Sequence, residues 1–192
     1  MNADTSRTMA AQPKAPGFAP HAALAFDALY ERYHRAWLSY AHTQCGSREA
    51  AEQVADDVTA QLAETWGHAL KQPSVERYAW ALLKAAVAGW LAEHDGPAFV
   101  ETGAFHRVAL ARHLSKQQFE LMEEALGLYS AISELPERQY DVIVLRYVLG
   151  YPDSRVAFLL GIDQNTVRSH VRHAKERLAK RLGIGLRSET GG

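Results

Sequence analysis

Apolar residues recur along this chain at intervals of three and four, the spacing of an amphipathic helix. Phe26, Leu29, Tyr30, Tyr33, Trp37, Leu38 and Ala41 form one such stripe and predict a helix from near Ala22 to Gln44. Gly46 and Ser47 break it, and Ser47 is placed to cap the next helix. That second helix, Arg48 to near Leu70, turns Ala51, Val54, Ala55, Val58, Leu62 and Trp66 inward and leaves Glu49, Glu52, Asp56, Asp57 and Glu64 on an acidic outer surface. Pro73 ends it. A third helix, Val75 to near Glu93, carries Tyr78, Trp80, Leu82, Leu83, Val87, Trp90 and Leu91.

The second half continues the pattern. Ser115 caps a helix expected to run to Ser133 with Phe119, Met122, Leu126, Tyr129 and Ile132 inward. Pro136 suits a first helical position, and Glu137 to Leu149 packs Tyr140, Ile143, Val144 and Tyr147 before Gly150 stops it. No segment alternates like a strand between hairpin turns. The expected class is all-α, two small helical domains joined by a linker. The Pro-rich residues 1–20 read as a disordered leader and 21–95 as the first domain. Residues 96–115 read as the linker, with a short helix from Phe105 to Leu114, 116–183 as the second domain and 184–192 as a flexible tail.

Within the second domain, Tyr151 to Leu182 has a short helix, a tight turn and a longer basic helix. Ala157 is small enough to allow a close crossing, Gly161 can take the left-handed backbone of a sharp turn, and Val167 packs beneath, with Val156, Leu160 and Ile162. This is helix-turn-helix spacing, in which the second helix enters the DNA major groove. Asp163 is its expected N-cap, and Val167, Val171, Ala174 and Leu178 its inward stripe. The opposite arc holds Asn165, Ser169, Arg172 and His173, flanked by Gln164 and Arg168, side chains of the types that read base edges. Lys175, Arg177, Lys180 and Arg181 suit phosphates.

Net charge over the 192 residues is −1 and hides an asymmetry. Residues 1–95 hold eight basic and eleven acidic side chains, and Gln164 to Arg187 hold seven Lys or Arg against the single acid Glu176. The local balance, rather than the total, points to nucleic acid. One cysteine, Cys45, excludes an internal disulfide, and no apolar run is long enough to span a bilayer. No signal layout opens the chain, so a cytoplasmic, membrane-free setting is expected.

Enzymatic readings find little support. Cys45 lacks a flanking His and acid, and the glycines form no phosphate loop. His170 and His173 stand one helical turn apart without a Cys or carboxylate to complete a metal site. No cofactor or metal is expected.

Leu135-Pro136-Glu137-Arg138-Gln139, Val142, Leu145-Arg146-Tyr147, Gly150, Ala157, Leu160-Gly161-Ile162 and Thr166-Val167-Arg168-Ser169 together resemble the C-terminal promoter-binding domain of bacterial sigma factors, the compact extracytoplasmic-function type above all. Phe26 to Tyr30, Tyr33, Ala51 to Val54, Asp57 and Leu62 resemble that family's first domain more loosely. The resemblance implies promoter duplex against Gln164, Asn165, Arg168, Ser169, Arg172, His173 and Lys175, and core RNA polymerase against Glu52, Asp56 and Asp57. An inhibitory anti-sigma-type protein is a further implied partner.

Departures from the family pattern matter. The segment expected to capture the melted strand, Arg77 to Asp95, has only Arg77 and Lys84 as cations and ends in Glu93 and Asp95, which predicts weak or absent melting. Asp56 and Thr59 stand where Gln and Phe are usual in the family. Phe158 stands where a polar residue usually faces out, and is expected to cover a partner or touch the first domain. Tyr78, Trp80 and Trp90 read as core before they read as stacking platforms. The resulting expectation is a sigma-type initiation protein. Its rivals are a sigma-derived regulator without melting ability and a module that sequesters a partner protein.

Overall fold

The computed structural model describes residues 19–94 and 127–183; every regular element in them is helical, with no strand among the described residues. The N-terminal part comprises α1 Pro20–Cys45, α2 Arg48–Glu64, the single turn α3 Trp66–Ala69 and α4 Val75–Glu93. The C-terminal part comprises α5 Leu128–Ser133, α6 Glu137–Ile143 running into a π-helical turn Val144–Val148, α7 Asp153–Leu160 and α8 Gln164–Leu182. The all-α expectation holds. The leader up to residue 18, the linker with its Phe105–Leu114 helix, the Ser115 cap and the tail lie outside the described residues, as do Phe119, Met122 and Leu126.

Local chemistry sets most boundaries. Ser47 accepts the Ala50 amide at 3.1 Å and Ser74 accepts the Arg77 amide at 3.1 Å, each satisfying a free N–H of a first turn. Gly46 closes α1 in the left-handed region at φ 82°, where a Cβ is disfavoured.

Four expectations need correcting. The helix from Arg48 ends at Glu64 rather than near Leu70: Thr65 Oγ1 donates to the Gln61 carbonyl at 2.7 Å, a back-bond that bends helices, and the chain restarts as α3. The helix expected to reach Ser133 from Ser115 is not continuous, because Gly127 has φ 58° and α5 begins at Leu128. Pro136 is the N-cap of α6, with ψ 140°, one residue ahead of the first helical position. Tyr147 does not pack inward. The Leu149 amide reaches back five residues to the Val144 carbonyl at 2.9 Å, and the extra residue of this wide turn rotates the stripe. Leu145, Val148 and Leu149 take the buried positions, and Tyr147 is left 48% exposed.

Buried side chains form one continuous cluster running through both parts. In the N-terminal part it is built on Trp37, Trp66 and Trp80, all fully buried, with Phe26 edge-on to Trp66 at 5.3 Å. In the C-terminal part Val142, Leu145, Val156, Leu160, Val167 and Ala174 meet where α6, α7 and α8 cross. Phe158 touches the N-terminal part, its ring stacked on Tyr33 at 4.9 Å and covered by the Arg32 guanidinium at 3.9 Å.

Candidate nucleic-acid interface

Gly161 makes the turn between α7 and α8 at φ 62°, and its amide bonds back to the last carbonyls of α7. Two residues on, the Asp163 carboxylate accepts the Thr166 amide at 2.9 Å and caps α8 as expected. Its carboxyl is held below the ordinary range, first by the Thr166 hydroxyl and then by the Thr166 amide. Val167 and Ala174 are fully buried, and Val171 and Leu178 are partly so, which fixes the roll of α8 about its axis.

That roll turns the polar arc outward. Gln164, Asn165, Arg168, Arg172, His173 and Lys175 are exposed, and Ser169 is half-buried. Arg168 donates to Asn165 Oδ1 at 3.2 Å and lies 3.4 Å from Asp153, whose other oxygen holds Arg146 at 2.7 Å. Arg172 keeps a long 3.9 Å approach to Glu176, with 69% of its side chain open to solvent. Lys175 sits over the exposed Tyr147 ring at 5.5 Å. Asn165, Arg168, Arg172 and Lys175 follow one another at three or four residues and share a face. His173 does not join them. It lines a groove of about 470 Å³ with Gln139, Glu176, Arg177 and Lys180, on the flank nearer α6.

Asp153 was not singled out from sequence and Tyr147 was expected in the core, yet one lies beside Arg168 and the other beneath Lys175. Asp153 does carry a sequence signal, an acid directly after Pro152 in the first turn of α7.

Residues 125–178 match the family model for sigma-70, region 4. The matched stretch takes in the C-terminal helices from α5 into α8, which are thus similar to a sigma-70 region 4 domain. The match supports a DNA-binding role in transcription. The solved structure of CnrH in complex with the cytosolic domain of CnrY is similar over 83% of this chain and 88% of that one, with a TM-score of 0.44 and 19% identity. No curated protein matches the chain.

The acidic set on α2 is split by geometry. Glu52 pairs with Arg48 at 2.7 Å, and Glu52 and Asp56 stand close enough to His34 of α1 to oppose the lowering of its pKa by burial. Asp57 faces the other way. It lines a groove of about 480 Å³ between α2 and α4 with Glu64, Glu93 and Trp90. All three acids are exposed.

Cys45 is buried, and burial pushes its thiol up to about 11, out of the reactive range. Among the described residues no three His, Cys, Asp or Glu side chains cluster as metal ligands, and no helix is long and apolar enough to cross a membrane.

Proposed function

We propose that this chain is a sigma-factor-like transcription initiation protein of the extracytoplasmic-function type. Its region 4 domain holds promoter duplex through Gln164, Asn165, Arg168, Ser169, Arg172 and Lys175, with His173 at the flank of that face, and its N-terminal helices hold core RNA polymerase through Glu52, Asp56 and Asp57. The observation that carries the DNA half is the outward cationic face of α8, set by a buried stripe on the other side. Arg and Asn are the types that pair bidentately with guanine and adenine edges, and Lys175 supplies a phosphate contact. For the polymerase half the support is Glu52 and Asp56, exposed on the α1 side of α2, with Asp57 exposed on the side toward α4. An anti-sigma-type protein is a further proposed partner.

A second reading is favoured by α4. Arg77 and Lys84, the two cations of the strand-capturing segment, both bond to the C-terminal helices, at the Gly161 carbonyl and at Asp141. A regulator that binds promoters without melting them would look this way. Purified chain, core polymerase and a promoter library separate the readings. Initiated transcripts support the first, and co-migration with polymerase without transcripts supports the second. Duplex binding with no polymerase association would remove the polymerase half of both.

A further inference from the structure

The outward face of α8 is braced from α7. Asp153, in the first turn of α7, keeps only 23% of its side chain in solvent and divides its two oxygens between two arginines. Oδ1 holds Arg146 Nε at 2.7 Å, and Oδ2 accepts from Arg168 Nε at 3.4 Å. Arg168 in turn donates from Nη1 to Asn165 Oδ1 at 3.2 Å. These side chains form one line of contacts that starts on the π-helical turn, crosses the N-terminus of α7 and ends at the exposed start of α8.

The two ends of the line differ. On the inner side the carboxylate is fixed. The free amides at the start of α7 favour an acid there, and the half-buried Arg146 also donates to the Tyr151 carbonyl at 3.5 Å. On the outer side Arg168 keeps 62% of its side chain in solvent. Its Nε and one Nη1 proton are engaged, which leaves the outer end of the guanidinium fork for a guanine edge. The same bond turns the Asn165 carbonyl oxygen toward Arg168 and its NH2 group away, so the amide is set before any base arrives. Arg172, one turn on, lacks such a brace, because its approach to Glu176 is 3.9 Å and too long for a hydrogen bond.

Stability does not explain the Asp153 contact. An exposed ion pair adds little to folding, and an acid beside a DNA-facing surface weakens the positive field that attracts phosphates. What the acid supplies is order. A long side chain free in solvent loses rotamer freedom when it meets a base, and one already held loses less. We infer that Asp153 is a positioning residue for sequence readout. Without touching DNA it holds Arg168, and through it Asn165, in the arrangement that meets base edges, and it trades general affinity for discrimination. The inference rests on the duplex-reading half of the proposed function.

The test uses the full chain and two labelled duplexes, one selected by the parent from a randomised pool and one of the same composition scrambled, with binding read by fluorescence anisotropy. Asp153→Ala removes the brace; Asp153→Asn, which keeps the side chain's shape, takes its place if the first variant loses helicity by circular dichroism. Either should lower the ratio of affinities, selected over scrambled, by about tenfold, within what one bidentate base contact confers. The scrambled duplex should be bound as tightly as by the parent or up to about threefold more tightly, because a charge that opposes phosphates is gone. On an Arg168→Ala background the same replacement should change the ratio less than about twofold, since the brace acts through Arg168. A merely structural role for Asp153 would weaken both duplexes together and add to the Arg168→Ala loss. An unchanged ratio, an equal loss on both duplexes, or additivity of the two replacements overturns the inference. A parent that shows no sequence preference defeats the duplex-reading proposal and the inference with it, whereas a clear parental preference kept intact by both Asp153 variants removes the inference alone.

Discussion

Replacing Lys84 with Met isolates the ionic part of the contact between the N-terminal and C-terminal parts, because Met keeps most of the side chain's length and removes only the ammonium. In the native chain that ammonium lies 3.0 Å from Asp141 Oδ1 and 3.7 Å from Glu137, whose side chain is 67% exposed. The Glu137 contact is a surface pair worth at most a few tenths of a kcal/mol, ~0.3. The Asp141 contact is different, since removing one partner of a buried pair leaves an uncompensated charge at a cost of about 3–5 kcal/mol. Two features reduce that figure here. Lys84 is itself 24% exposed, and Asp141 keeps the Tyr40 and Trp80 donors. The expected loss is therefore about 2–3 kcal/mol, which with a urea slope of ~2 kcal/mol per molar moves the unfolding midpoint down by roughly 1–1.5 M. Urea titration at pH 7 followed by circular dichroism and by tryptophan fluorescence reads it. The double variant Lys84→Met/Asp141→Asn, in which no charge is left behind, should recover all but about 1 kcal/mol. A loss below about 0.5 kcal/mol in the single variant, or simple additivity in the double, would refute the assignment of a buried charge pair.

Three further expectations follow from the same geometry. Val167→Asp places an unpaired carboxylate in the fully buried crossing of α7 and α8 and should abolish cooperative folding of the C-terminal helices by circular dichroism; a normally folded product would overturn the register given to the turn. His170 has its pKa lowered first by burial and then by Arg138 and His173, so the folded chain favours its neutral form. Its stabilising contribution is complete above the ordinary histidine value of 6.5 and is lost as pH falls below that value through the lowered one; melting temperatures of the parent should drop over that range more than those of His170→Gln, and parallel curves would contradict this. Cys45, its thiol raised to about 11 by burial, should resist a thiol reagent at pH 8 until urea unfolds the chain, and immediate labelling of the native protein would show the site to be open.

Sequence patterning carried the local features because they are fixed by neighbours in the chain. Ser47 and Asp163 as caps and Gly161 as a left-handed turn depend on a few adjacent backbone groups, and each stands as read. The outward roll of α8 follows from Val167, Val171, Ala174 and Leu178 alone. Features that depend on non-local pairing were harder. Asp141 is a lone acid in the apolar run from Tyr140 to Leu145, an anomaly visible in the sequence, but its donors lie 57 to 101 residues away. Tyr147 was misplaced because a regular 3.6-residue period cannot anticipate a π turn. The break at Thr65 coincides with a hydroxyl bond to the Gln61 carbonyl that the spacing of apolar positions does not record. Phe158, out of place for a solvent-facing position, did announce the contact with the N-terminal part, since an aromatic residue there needs cover.

The salt dependence of duplex binding tests the cationic face of α8 most directly. Fluorescence anisotropy of a labelled duplex, titrated with the full chain between about 50 and 200 mM salt, should give a linear plot of log K against log salt. The exposed cations assigned to phosphates, Lys175, Arg177 and Lys180, predict a slope of roughly −2 to −3, and Arg172→Ala, as a base reader, should cost about 1–3 kcal/mol on a preferred sequence while leaving the slope in place. A chain that bound no duplex at the lowest salt, or bound it with no dependence on salt, would contradict the account.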